Sequence, residues 1–115
     1  MFFSVSTWLP AFAATLAIEA PIVAMGIGRK GHQVVQVAAV FVAGNLGTHL
    51  AIWYLGTQLL LPGTLEFVVL AESWAITAEA LLYWAALPGI SPRGAFLTAI
   101  VANTASFFVG LWWLG

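Results

Sequence analysis

The run of residues 7–28, TWLPAFAATLAIEAPIVAMGIG, decides the fold class of this chain. Glu19 is its only charged side chain. A helix needs about 20 apolar residues to cross the hydrocarbon core of a bilayer, and this run is long enough. A secretory signal peptide begins with basic residues, whereas the first basic residue here is Arg29. We therefore expect the run to be retained as a first transmembrane helix.

Three further apolar runs follow, separated by glycine and proline, which interrupt helices. Gly28 and Gly31 lie in the first joint, and Pro-Gly pairs begin at Pro62 and Pro88 in the other two. Because these joints are short, consecutive helices are expected to run in opposite directions. The sequence thus predicts an all-α membrane protein with one transmembrane domain, residues 1–115. Its four transmembrane helices, in up-down-up-down order, are predicted at about 7–28, 34–60, 65–87 and 92–114.

The composition supports this class. Hydrophobic residues make up 63% of the chain and charged residues 6%, whereas soluble domains carry roughly 25% charged residues. A small soluble globule would leave much of that apolar surface in water, so the lipid bilayer is the expected partner. The net charge of −1 argues against a nucleic-acid partner, and the absence of cysteine excludes disulfides and thiolate metal sites. Nucleophile-elbow and zinc-helix motifs are absent, so we do not expect an enzyme.

Basic and aromatic residues predict the same orientation. Arg29 and Lys30 lie in the first joint and Arg93 in the third, and basic residues favour the cytoplasmic side. Tryptophan and tyrosine favour the membrane–water interface. Five of them lie near helix ends on the opposite side: Trp8, Trp53, Tyr54, Trp112 and Trp113. We expect an integral protein of a prokaryotic inner membrane, with the first and third joints cytoplasmic and both termini outside.

The chain also reads as two duplicated helical hairpins. Each half carries a glutamate, then an asparagine, then a hydroxyl residue three positions further, in the order Glu19, Asn45, Thr48 and Glu79, Asn103, Ser106. Each half ends in an aromatic pair and a glycine. A duplication in this order would relate the hairpins by an axis along the membrane normal. The alternative is a chance match in an alanine-rich sequence.

Several polar side chains fall in the middle of the predicted spans: Glu19, Asn45, His49, Glu72, Glu79 and Asn103. Asn45, Thr48, His49, Tyr83, Asn103 and Ser106 are expected to support the three glutamates. An acidic residue at the bilayer centre costs roughly 2.5–3.5 kcal/mol on insertion scales, so these groups should face protein or water. Glu72, Glu79 and Tyr83 share one face of the third helix. Burial and mutual repulsion favour the protonated acid. We expect at least one of the three central glutamates to be protonated near pH 7.

The leading interpretation is a small oligomeric transporter or ion-conducting protein. Intramembrane carboxylates often mark ion pathways, so Glu19, Glu72 and Glu79 would bind protons or cations. Stripes of small residues on the second and fourth helices favour close helix packing, within the bundle or in a homo-oligomer. The alternative is a non-catalytic accessory subunit of a larger respiratory or photosynthetic membrane complex. Its polar residues would then be assembly contacts formed by interhelical hydrogen bonds.

His49 leaves the question of a cofactor open. It could bind a metal beside Glu72 and Glu79, hold the metal of a tetrapyrrole pigment, or hydrogen-bond a glutamate. No Glu-x-x-His spacing accompanies it. A lone helical histidine is more often a hydrogen-bonding residue, so neither a metal nor a cofactor is assigned.

Three segments resemble a pattern in small uncharacterised four-helix membrane proteins of prokaryotes: the stretch from Glu72 to Tyr83, Asn103-x-x-Ser106-x-x-x-Gly110, and Asn45-x-x-Thr48-His49. The resemblance implies that the intramembrane polar set is a shared feature. The chain is also similar in size, and in the glutamate of its first helix, to small multidrug resistance transporters. Those rely on a single essential acid, whereas this chain has two more glutamates and a histidine, so the similarity implies an analogy only.

Overall fold

The computed structural model describes residues 5–27, 34–60 and 64–114, and within these ranges it is helical, without β-strands. The all-helical prediction is confirmed. In these ranges, α1 is Val5–Gly26, α3 is Leu65–Ala86 and α4 is Pro92–Leu114. Helix α2 has three parts: the α-helical Val34–Leu50, the π-helical segment Ala51–Gly56 and a last turn, Thr57–Leu59.

Local signals explain where α3 and α4 begin. The Thr64 hydroxyl accepts a hydrogen bond of 3.2 Å from the backbone N–H of Phe67, which caps α3. The Ser91 hydroxyl accepts one of 3.0 Å from the N–H of Gly94. Pro92 then occupies the first position of α4, where its missing N–H is not needed. Between the helices, Gly89 has a φ of +83°, a left-handed conformation that glycine adopts without steric cost.

Contacts between side chains show that neighbouring helices run antiparallel. Along α2 and α3, Gln36 contacts the carbonyl of Ala86, and Thr48 contacts Glu79. Along α1 and α4, Ser106 contacts Glu19, while Thr98 lies against Gly26. Since α1 also packs on α2, and α3 on α4, the helices form a closed ring in chain order. The bundle measures 41 × 22 × 22 Å.

The bundle is apolar outside and partly polar inside. Large hydrophobic side chains such as Val34, Leu59 and Trp112 are more than 70% exposed, whereas Glu19, Asn45, Glu79 and Asn103 are buried. Soluble proteins show the reverse distribution. Within the described ranges, three stretches are long and apolar enough to cross a membrane: Trp8–Gly26, Val34–Gly56 and Pro92–Trp112. These are the properties of an integral membrane protein.

The third helix differs from the other three. Helix α3 has a spanning length of 22 residues, yet it is not among the stretches that are apolar enough by composition. It carries three acids, Glu66, Glu72 and Glu79. Its expected membrane crossing therefore stays a prediction.

The predicted orientation is not tested. Arg29 and Lys30 lie outside the described residues, as does the side chain of Trp113. Arg93 is exposed in the first turn of α4, and Tyr54 and Trp112 are exposed near the opposite end of the bundle. Trp8 lies at that end too, but it points into the bundle, where its ring stacks on Phe12 at a centroid distance of 4.9 Å.

The two small-residue stripes face different surroundings. On α4, Ala95, Ala99 and Ala102 are fully buried and let this helix approach its neighbours. On α2, Ala39, Ala43 and Gly47 are exposed on the outside of the bundle. The second stripe therefore takes no part in packing within one chain.

Substitution of Gly26 is expected to destabilise the bundle. A Cβ atom at this position would collide with the side chain of Thr98, which is buried where α1 meets α4. Overpacking of this kind costs about 1–3 kcal/mol, so Gly26→Ala should lower the midpoint of heat unfolding in detergent. Gly47→Ala is the matched control, since a Cβ there meets nothing within 4 Å. Equal midpoints for the two variants would contradict the observed packing of α1 on α4.

Candidate functional site

Two carboxyl groups lie at the centre of the bundle, on the non-adjacent helices α1 and α3. Glu19 is 0% exposed and Glu79 is 1% exposed. Glu19 Oε2 contacts the Ser106 hydroxyl at 2.6 Å. Glu79 Oε2 contacts the Thr48 hydroxyl at 3.2 Å, and its Oε1 accepts a hydrogen bond of 3.3 Å from Asn103 Nδ2. The two carboxyl groups lie close enough for their charges to repel each other.

The contacts of the two glutamates are reciprocal. Glu19 of the first hairpin meets a hydroxyl of the second, Ser106, and Glu79 of the second hairpin meets a hydroxyl of the first, Thr48. Each asparagine donates to the carbonyl four residues before it, Asn45 at 3.1 Å and Asn103 at 2.9 Å. The two hairpins thus hold corresponding polar residues in corresponding positions.

Each hydroxyl at this site has one hydrogen and two acceptors within reach. Besides the carboxyl oxygen, Thr48 Oγ1 lies 3.2 Å from the carbonyl of Asn45, and Ser106 Oγ lies 3.1 Å from the carbonyl of Asn103. A hydroxyl that donates to the carbonyl can still accept a hydrogen from a protonated carboxyl group. Both contacts are therefore compatible with either the charged or the protonated glutamate.

Further polar atoms in the interior lack partners. Glu19 Oε1, Asn45 Oδ1 and the Tyr83 hydroxyl are buried without a hydrogen-bond partner among the described residues. The Asn45 amide lies beside the Glu19 carboxyl, and Tyr83 follows Glu79 by one turn of α3. Buried polar atoms are normally paired, so each exception calls for an explanation.

A cavity of about 200 Å³ lies on the side of these carboxyl groups where α1 and α3 begin, and neither Glu19 nor Glu79 is part of its lining. All four helices contribute polar side chains to its lining: Thr15, His49, Glu72, Asn103 and Ser106. Two of them also contact the buried acids, since Asn103 bonds Glu79 and Ser106 bonds Glu19. The floor of the cavity is therefore one hydrogen bond away from each buried carboxyl group. Glu72, also part of the lining, is half-buried.

The opposite end of the bundle is filled by apolar side chains. The cluster of buried residues there includes Val23, Ile27, Phe41, Leu87 and Ile90. These residues pack between the buried carboxyl groups and the joint that connects α3 to α4. In the described part of the chain, a cavity with mixed polar and apolar lining thus lies on one side of the two carboxyl groups, and apolar side chains fill the bundle on the other.

The structure gives no geometric support to a metal site at His49. Within the described ranges, no group of three or more histidine, cysteine, aspartate or glutamate residues is placed to hold a metal ion. The His49 ring instead meets the ring of Phe12 at 5.4 Å in an edge-on arrangement, and its buried Nδ1 has no described hydrogen-bond partner. Glu66, outside the predicted site, is exposed in the first turn of α3.

Sequence reasoning missed two features of the site. Trp53, Phe67 and Phe107 line the cavity together with the polar residues, although aromatic residues near helix ends favour an interfacial role. The π-helical winding of Ala51–Gly56 was also missed, because nothing in its sequence distinguishes it from an α-helix. Such segments are frequent at functional sites.

Comparison with known proteins found no matching family model, no matching curated protein and no matching solved structure.

Proposed function

We propose that this chain is a small membrane transporter that moves protons or other cations, with Glu19 and Glu79 as the inner binding groups and Glu72 as the outer one. The observation that supports the proposal is that two residues of the cavity lining, Asn103 and Ser106, hydrogen-bond the two fully buried carboxyl groups. Hydrogen bonds that only hold helices together do not require a cavity beside the acids. In this proposal α3 spans the membrane with the other three helices.

The closed end favours a transporter over an open channel. A channel needs a continuous polar path, whereas the cluster around Ile27 and Leu87 fills the bundle beyond the carboxyl groups. Movement of a cation across this seal requires a second conformation in which the opposite end opens. Alternation of this kind commonly uses two structural repeats that move against each other around a central site.

The reciprocal contacts support a duplication as the basis of that movement. Each glutamate belongs to one hairpin and meets a hydroxyl of the other. When one hairpin shifts against the other, both contacts change together. Proton or cation binding at either carboxyl group would thereby be coupled to the relative position of the hairpins. Asn45 and His49 complete the surroundings of this site.

A second candidate function is that of an accessory subunit in a larger membrane complex. The outer surface of α2 favours it, because the small residues Ala39, Ala43 and Gly47 are exposed there and would let a partner helix approach closely. An apolar groove beside this helix, lined among others by Leu55, Leu59 and Trp74, offers a further packing surface.

Native mass spectrometry of the protein, purified gently from its own membrane, separates the two functions. A transporter is expected to be recovered as a homo-oligomer of this chain. An accessory subunit would be recovered with other polypeptides or with bound pigment. That second result would make the glutamates assembly contacts and would contradict the transport proposal.

A further inference from the structure

Two spaces lie side by side where α2 ends and α3 begins. One is the cavity that Glu72 lines, and the other is the apolar groove beside α2, which has a volume of about 230 Å³. Three residues line both spaces: Ile52, Phe67 and Ala71. The cavity and the groove therefore share a wall that consists of apolar side chains.

The groove lies on the outer surface of the bundle. Its lining is aliphatic and aromatic, and the side chains of Leu55, Leu59 and Trp74 are exposed there. In a bilayer this surface faces hydrocarbon chains rather than water. A hydrocarbon tail is therefore the kind of group that this groove accommodates.

The cavity offers hydrogen-bond acceptors together with aromatic rings. Glu72 lies in its wall, and so does His49, whose buried Nδ1 has no described hydrogen-bond partner. Trp53, Phe67 and Phe107 add three rings. A dry cavity of about 150 Å³ can hold a benzene molecule. The volume of about 200 Å³ found here accommodates one aromatic ring with small substituents.

The shared wall favours an uncharged head group. A molecule that reaches the cavity from the groove passes Ile52, Phe67 and Ala71. Burying a charge among apolar side chains costs far more free energy than burying a hydroxyl group. A hydroxyl group can still donate a hydrogen bond to a carboxylate or to an imidazole nitrogen. The two spaces together fit a hydroxylated aromatic ring that carries a hydrocarbon tail.

We propose that this site binds a lipid-soluble hydroquinone, with its ring in the cavity, its hydroxyl groups at Glu72 and His49, and its tail in the groove. The inference goes beyond the proposed transport function and depends on none of its steps. The π-helical segment Ala51–Gly56 supplies side chains to both spaces, among them Ile52 and Trp53. Such segments are frequent at functional sites.

The test is equilibrium binding of radiolabelled decylhydroquinone, kept reduced, to the purified protein in detergent. Two unlabelled competitors keep the ring and the tail but change the head: decylbenzene lacks the hydroxyl groups, and decylbenzylammonium carries a charge. We expect saturable binding of decylhydroquinone. Both competitors should displace it at least about tenfold less well than unlabelled decylhydroquinone, the effect of one lost hydrogen bond to a charged group or of a buried charge.

Two glycines of α2 give matched variants for the groove. A Cβ at Gly56 meets the Phe67 ring at 3.5 Å, an ordinary contact, and a leucine side chain there would fill part of the groove. Gly56→Leu should weaken binding of decylhydroquinone roughly tenfold, if it displaces about two methylene groups of the tail. Binding of methylhydroquinone, which has almost no tail, should not change. Gly47→Leu is the control, since a Cβ there meets nothing within 4 Å.

A second pair of variants tests the head group. Glu72→Leu should weaken binding of both hydroquinones at least about tenfold, because it removes a charged hydrogen-bond acceptor. Glu66→Leu should leave it unchanged, because Glu66 is an exposed acid on the same helix.

Several results would overturn the inference. Equal competition by decylbenzene would show that the hydroxyl groups are not recognised, and stronger competition by decylbenzylammonium would assign the cavity to a cation. Equal affinities of Gly56→Leu and Gly47→Leu would remove the tail from the groove. Since binding is measured without a membrane, it is separate from the transport proposal. A protein that moves protons in vesicles but does not bind decylhydroquinone refutes this inference alone.

Discussion

Glu19→Gln and Glu79→Gln are each expected to reduce proton movement across vesicles that contain the purified protein to the level of protein-free vesicles. Glutamine has nearly the same size as glutamate and keeps the contacts to Ser106, Thr48 and Asn103, but it cannot take up or release a proton. The measurement is the internal pH of the vesicles after an imposed membrane potential. Glu66→Gln is the matched control, because Glu66 is exposed at the end of α3.

The two variants are expected to behave alike. Because each glutamate contacts a hydroxyl residue of the opposite hairpin, we expect both variants to lose activity to a similar extent. Wild-type rates in both variants would show that the carboxyl groups only hold the helices together. Loss in one variant alone would contradict the equivalence of the two hairpins, while leaving the other acid as the transport site.

The second prediction with a large expected effect concerns the carbonyl band of protonated carboxyl groups in the infrared spectrum. At neutral pH the wild-type protein should show the carbonyl band of at least one protonated carboxyl group. The structure favours Glu19, because its buried Oε1 lacks a described hydrogen-bond partner and a proton there would let it donate a hydrogen bond. Glu19→Gln is then expected to remove or strongly reduce the band.

Two controls accompany the infrared measurement. Glu66→Gln should leave the band unchanged, because that side chain is in contact with water. Asn45→Leu should shift the band, because the Asn45 amide lies beside the Glu19 carboxyl group. A spectrum in which Glu19, Glu72 and Glu79 are all ionised at neutral pH would rule out a protonated inner site.

The helical class and the direction of the helices could be read from the sequence, because they depend on local properties. Apolar length and Pro-Gly joints are visible in the sequence, and the helices α2, α3 and α4 begin at Val34, Leu65 and Pro92. The π-helical segment Ala51–Gly56 could not be read in this way. The segment contacts α3, and residue spacing along one helix does not show how two helices pack.

In the candidate site too, the sequence predicted the features that depend on position along a helix and missed those that depend on contacts between helices. The sequence placed Glu19, Glu79, Asn45 and Asn103 at similar depth, because depth follows from counting residues along a span. Which hydroxyl contacts which glutamate depends on how the two hairpins pack. Only the structure shows that Thr48 contacts Glu79 and that Ser106 contacts Glu19, each in the opposite hairpin. The mixed lining of the cavity was likewise hidden, since the rings of Trp53 and Phe107 come from different helices.

The central claim, that this chain carries protons or cations across a membrane, is tested most directly with the wild-type protein alone in lipid vesicles. The internal pH is followed after a membrane potential is imposed, and protein-free vesicles serve as the reference. The account predicts a faster pH change in the protein-containing vesicles, driven in the direction of the potential. If neither the internal pH changes nor an added cation enters faster than in protein-free vesicles, the transport proposal is wrong and the buried glutamates are structural.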